Sequence, residues 1–115
     1  MLKNSLWISY PTKEDYTCPV FKKKFTASKE IKKATLKITS LGCYYAELNG
    51  ARIGDFILAP GWTYYKRTQM QTYDITHMIN NENEIRATLS SGWFNGRINQ
   101  RTRKELPDVY PALIC

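Results

Sequence analysis

The sequence predicts an all-β fold, an antiparallel sandwich or barrel of roughly six or seven short strands. Three observations carry that expectation. Apolar and polar residues alternate with a period of two over several short stretches. Turn dipeptides such as Asn49-Gly50, Gly54-Asp55, Pro60-Gly61 and Asn80-Asn81 separate those stretches at close spacing. No stretch carries the three-and-four repeat of a long amphipathic helix.

Taken in order, residues 1–16 read as an irregular lead-in, apart from a short apolar piece at Trp7 and Ile8. Residues 17–115 read as one sandwich domain whose last strand, from Pro111, is cut short at the C-terminal side. Val20 to Thr26 alternates with Phe21, Lys23 and Phe25 on one face, the pattern of a half-buried strand. Ala34 to Thr39 repeats it, with Ala34, Leu36 and Ile38 inward and Thr35, Lys37 and Thr39 outward. The interleaved lysines also discourage edge-to-edge pairing. Gly42 breaks this strand from Tyr44 to Leu48. Asn49 and Gly50 both tolerate positive φ, so a type I′ hairpin into Ala51 to Ile53 is expected. Phe56 to Leu58 reads as a short apolar strand ended by Pro60-Gly61, and Gln69 to Tyr73 as another strand. Asp74 is placed to accept a bond from the free amides of a helical turn over Ile75 to Ile79. Glu84 to Leu89 closes the series, with Ile85, Ala87 and Leu89 on one face.

Composition narrows the function classes. The chain has 115 residues, 43% hydrophobic and 23% charged, the size and balance of one globular domain. No apolar run approaches the roughly 20 residues that span a bilayer, and Met1 to Tyr10 lacks the layout of a signal peptide. Cys18, Cys43 and Cys115 have no paired spacing; they form no metal cluster and read as three thiols, with at most one intramolecular disulfide possible. His77 is the single histidine, which excludes a histidine-rich metal site, and it reads as a surface residue of the helical turn. Glu47, Asp55, Asp74, Glu82 and Glu84 offer no facing carboxylate pair for glycoside hydrolysis. The net charge of +7 gathers in one group from Lys22 to Lys37 and another from Arg97 to Lys104. Such a balance suits either a solvated surface or a polyanion, whether nucleic acid or acidic polysaccharide.

Six stretches, in order and at matching spacing from about Leu41 to Gly96, resemble one family. Leu41-Gly42-Cys43-Tyr44-Tyr45-Ala46-Glu47-Leu48-Asn49-Gly50 looks like its "alGxYexxiNG" strand and hairpin. Ile53-Gly54-Asp55 resembles "VGD", and Leu58-Ala59-Pro60-Gly61-Trp62-Thr63-Tyr64-Tyr65 resembles "LaPGWTxY", its most distinctive element. Gln71-Thr72-Tyr73-Asp74-Ile75-Thr76 is similar to "YqtYDVT", Asn81-Glu82-Asn83-Glu84-Ile85 to the "GeNxi" turn, and Gly92-Trp93-Phe94-Asn95-Gly96 to "GWyxG". The family is the N-terminal domain of bacterial α-L-rhamnosidases, inverting glycoside hydrolases of rhamnose-containing glycans. The resemblance implies a jelly-roll-like, galactose-binding-like sandwich. It also implies that the catalytic carboxylates sit elsewhere, on a C-terminal (α/α) barrel domain of the same parent chain.

The resemblance therefore makes this chain a non-catalytic accessory module that supports the barrel domain and touches carbohydrate. The alternatives are an independent carbohydrate-binding module and, more remotely, a basic β-barrel that binds nucleic acid. No nucleic-acid or membrane partner is expected, and no catalytic residue. A related rhamnosidase module binds rhamnose through calcium. Where that module has an Asp-Asn pair, this chain has Leu41-Gly42, so no metal or other cofactor is carried over. The carbohydrate candidates are Trp62, Tyr64, Tyr65 and Trp93 for stacking, with Asn95, Arg97 and Asn99 for hydroxyl groups. Packing is the competing role for the tryptophans, and Trp62 is expected to fold back onto the sandwich.

Overall fold

The structure is a computed structural model, which describes residues 2, 4–11, 17–62, 64, 66–95 and 110–115. Its eight strands are β1 (Ile8–Ser9), β2 (Val20–Thr26), β3 (Thr35–Leu41), β4 (Cys43–Leu48), β5 (Ala51–Arg52), β6 (Gln71–Asp74), β7 (Glu82–Ser90) and β8 (Ala112–Ile114). A 3₁₀ turn covers Thr76–Met78, and a turn of α-helix, α1, covers Gly92–Asn95. Among the described residues the strands form two four-stranded sheets, ordered β1-β8-β3-β6 and β2-β7-β4-β5, with antiparallel pairing throughout.

The core lies between the sheets and follows the alternation in the sequence. Leu36, Ile38 and Ser40 of β3, Tyr44, Ala46 and Leu48 of β4, and Ala87 and Leu89 of β7 are buried. Leu113 of β8 is buried with them. A period of two places alternate residues on one face, so each strand contributes every second side chain to this layer. Thr39 departs from the expected pattern. It is buried rather than outward, because its hydroxyl donates to the Gln69 carbonyl oxygen at 2.6 Å. On β2 only Phe21 packs against the core, while Lys23 and Phe25 stay exposed.

Two backbone positions determine how β4 enters and leaves. Between β3 and β4 the chain changes sheets through one residue, Gly42, at φ +112°. A Cβ there would run into the carbonyl oxygen of Ser90 on β7. At the other end Asn49 (φ +53°) and Gly50 (φ +81°) form the expected two-residue hairpin, with Leu48 opposite Ala51 and Glu47 opposite Arg52. Positive φ at both central residues is the mark of the primed turn.

The hairpin is tied down by two amides. Asn49 Nδ2 donates to the Met78 carbonyl oxygen at 2.9 Å and to Asn83 Oδ1 at 2.9 Å, and Asn49 Oδ1 accepts from the Glu84 amide at 2.9 Å. Asn83 is buried; its Oδ1 also accepts from the Asn80 amide at 2.8 Å, and its Nδ2 donates to the Asn80 carbonyl at 2.7 Å. Asp74 Oδ1 accepts from the Thr76 amide at 3.0 Å and hydroxyl at 2.6 Å, which holds its carboxyl below the usual carboxylate range. The capping role expected of Asp74 is thus filled one residue ahead of the formal cap, Ile75. His77 is exposed on that turn.

Two readings of the sequence change. The lead-in holds a strand, since Ile8 lies opposite Leu113 and Ser9 opposite Ala112. Phe56 to Leu58 form no strand; all three are exposed in a loop, and only Ala59 makes a bridge, to Tyr44. All three cysteines are free thiols, and burial pushes the Cys43 thiol up.

These ties predict an order of losses in denaturant unfolding. Gly50→Val forces a β-branched residue into the left-handed region with no neighbour to clash with, and costs about 1–2 kcal/mol. Asn83→Ala removes three part-buried hydrogen bonds, two of them to the Asn80 backbone, and costs about 1–3 kcal/mol. A parental midpoint for Asn83→Ala would show that the amide does not hold this corner.

Candidate functional site

The aromatic candidates depend on β4 for their support. The Tyr44 amide donates to the Ala59 carbonyl oxygen at 2.8 Å, which pins the middle of the loop from Gly54 to Tyr64. Tyr44 is buried, and its hydroxyl donates to Gln71 Oε1 at 3.2 Å and lies 3.2 Å from the Tyr73 hydroxyl. Gln71 Nε2 reaches the Pro60 carbonyl oxygen at 3.5 Å. Burial and the neighbouring Tyr73 hydroxyl push the Tyr44 phenol well above its ordinary range, so it stays protonated as a donor.

From this base the loop turns outward. The peptide before Pro60 is cis, Leu58 has φ +55°, and the Gly61 amide donates to the Leu58 carbonyl oxygen at 2.9 Å. Ala59 and Pro60 are buried, while Trp62 is 63% exposed. This corrects the expectation that Trp62 folds back onto the sandwich. The buried positions under the loop belong to Ala59 and Pro60, and Gly61 at φ +86° turns the chain away before the indole is reached.

Trp62 is nevertheless not isolated. Its ring stacks on Trp93, with centroids 6.3 Å apart and planes 24° from parallel. Trp93 is only 7% exposed and meets Phe94 edge-on at 5.8 Å. It stands on α1, which lies against β4: a Cβ on Gly92 would strike the Cys43 sulfur. Among the described residues the buried Trp93 Nε1–H meets no hydrogen-bond partner. One exposed indole is thus propped by a buried one.

The structure therefore brings Trp62 and Trp93 together and leaves Tyr64 exposed on the same loop. Tyr65, Arg97 and Asn99 lie outside the described residues, as does the side chain of Asn95. The buried support, Tyr44 with Gln71 and Tyr73, was absent from the expected site. Its signal is the inward register that Tyr44 shares with Ala46 and Leu48. The carboxylates are scattered: Asp74 holds its own turn, and Glu84 pairs with Arg86. Among the described residues no three histidine, cysteine or acidic side chains are grouped to hold a metal ion. A flat indole face beside exposed tyrosine suits the CH patches of a sugar ring.

Comparison with known proteins bears on this arrangement. A family model described as the α-L-rhamnosidase N-terminal domain matches residues 29–115, well over half of the chain. An α-L-rhamnosidase of Streptomyces avermitilis is 46% identical over 72 residues, which are 61% of this chain and 7% of that protein. One of Formosa agariphila is 30% identical over 121 aligned residues, 95% of this chain and 13% of that protein. The crystal structure of native Aspergillus terreus α-L-rhamnosidase superposes with a TM-score of 0.84 at 34% identity, covering 97% of this chain and 14% of that one. The Streptomyces avermitilis α-L-rhamnosidase complexed with L-rhamnose superposes with a TM-score of 0.73 at 38% identity, covering 82% of this chain and 9% of that one. The chain spans a small part of each of these relatives. Matched by the family model and sharing its sandwich with solved rhamnosidases, the chain belongs to the α-L-rhamnosidase N-terminal domain family.

Proposed function

We propose that this domain is the non-catalytic N-terminal module of an α-L-rhamnosidase, which seats the C-terminal catalytic barrel domain and offers an aromatic surface to rhamnose-containing glycan. The observation that carries the proposal is the loop from Phe56 to Tyr64. Phe56, Ile57, Leu58, Trp62 and Tyr64 are all exposed on it, beside a base fixed by buried Tyr44. Contiguous apolar surface held on a rigid base is what a partner surface requires. The apolar residues at 56–58 form the seat, and Trp62, propped by Trp93, is the platform for a sugar's apolar face.

The seat is tested in a chimera in which this chain replaces the matching segment of the Streptomyces avermitilis relative. The isolated chain releases no aglycone from an aryl α-L-rhamnoside, whereas the chimera turns it over. Ile57→Asp lowers the temperature at which the chimera loses activity, yet shifts the isolated chain by no more than about 0.5 kcal/mol, as its 78% exposure requires. Turnover that tracks the isolated chain sinks the non-catalytic reading, and a chimera unaffected by Ile57→Asp removes the seat.

The platform is tested on the isolated chain. Trp62→Ala leaves the unfolding midpoint within about 0.5–1 kcal/mol of the parent, because most of the indole is already in water. The same change removes the tryptophan fluorescence response to millimolar L-rhamnose or a rhamnose-rich glycan. A parent chain whose fluorescence ignores both ligands leaves the loop with the seating role alone.

A further inference from the structure

The outer face of the β2-β7-β4-β5 sheet carries a charge pattern that neither the core nor the aromatic loop uses. Strand register places Lys22 opposite Arg86, Arg86 opposite Glu47, and Glu47 opposite Arg52, so one row across the sheet carries three cations and one acid. In the next row Lys24 lies opposite Glu84. The Glu84 carboxylate is already engaged by the Arg86 guanidinium. Lys22 and Lys24 make no ion pair among the described residues. Arg52 sits over the Tyr45 ring, 5.4 Å from its centroid, and is anchored by a 2.7 Å bond from Nη2 to the Phe56 carbonyl oxygen.

Like charges directly opposite one another in a sheet are destabilising. Edge protection accounts for a lysine such as Lys23, but it does not require Lys22 to face Arg86 across the sheet's outer surface. We propose that this face binds an anionic polysaccharide, its carboxylate or sulfate groups meeting Lys22, Lys24 and Arg86 while a sugar ring lies on Tyr45 beside Arg52. The proposal goes beyond the module reading by naming an acidic glycan as partner, and it rests on residues separate from the Trp62–Trp93 pair. An acidic glycan fits better than nucleic acid. The outer face presents one exposed aromatic among the described residues, Tyr45, whereas single-stranded nucleic acid uses a series of stacking rings.

The test uses the 115-residue chain in affinity electrophoresis through gels containing polygalacturonate, dextran sulfate or neutral dextran, at about 50 mM salt. Retardation by one or both charged polymers, and none by neutral dextran, is the expected result. The two charged gels distinguish carboxylate from sulfate recognition. Lys22→Gln with Lys24→Gln weakens binding roughly tenfold or more, and binding falls steeply with salt, as for any contact that releases counterions. Lys32→Gln with Lys33→Gln makes the same change in net charge on exposed loop residues and leaves binding within about twofold. No retardation in either charged gel overturns the proposal. So does an equal loss in both double variants, which would reduce the effect to net charge, and so does equal binding to double-stranded DNA. Unchanged melting of the Lys22/Lys24 variant establishes that a loss reflects the surface rather than the fold.

Discussion

The carboxamide of Asn83, buried at one end of the sandwich, is the constraint on which the rest is hung. Its oxygen accepts hydrogen bonds from the Asn49 side-chain amide and the Asn80 backbone amide, and its nitrogen donates to the Asn80 carbonyl. The β4-β5 hairpin, distant in sequence, thereby shares one polar knot with the turn after Met78 and the start of β7. Buried amides are stable only when nearly every donor and acceptor is matched, so such a knot tolerates one arrangement of its strands and penalises slippage. The register it fixes runs along β4 and β7 to the opposite end, where Tyr44 and Cys43 meet the aromatic loop and α1.

This explains how a small domain can hold a surface loop rich in apolar side chains. The loop's backbone is tied at Phe56, Ala59, Pro60 and Gly61, and its middle is held by Tyr44, whose amide serves the loop and whose hydroxyl serves Gln71. Gln71 on β6 completes the connection from the other sheet through the Pro60 carbonyl. The aromatic surface is thus referenced to both layers of the sandwich at once, which is the condition for presenting side chains in a fixed geometry.

Much of this was legible in the amino-acid sequence, for local reasons. The hairpin followed from two adjacent residues that tolerate positive φ, and the inward faces of β3, β4 and β7 from a period of two. What was not legible depends on distant pairing or on backbone geometry. β1 is two residues long and has meaning only opposite β8, which lies at the other end of the chain. Phe56 to Leu58 resemble a strand in composition, but among the described residues no strand pairs with them. A core position for Trp62 followed from the resemblance of Pro60-Gly61-Trp62-Thr63 to the family's "PGWT" turn, which sits beside the hairpin. The exposure of Trp62 is decided by the left-handed Leu58 and Gly61, which the residue types alone do not reveal. Among the candidate site residues, the sequence identified the stacked pair of tryptophans but not the buried tyrosine that supports their loop.

The burial of Cys43 beneath α1 supplies the domain with a built-in clock. The thiol is shielded by Gly92 and held protonated by its desolvation, whereas Cys18 stands in the open. A thiol reacts as its anion and only where reagent can reach it, so modification of Cys43 must wait for the helical turn bearing Trp93 to lift away. The lag between labelling of Cys18 and of Cys43 therefore counts openings of the aromatic corner, and a molecule seated on Trp62 and Trp93 would lengthen it without touching either sulfur.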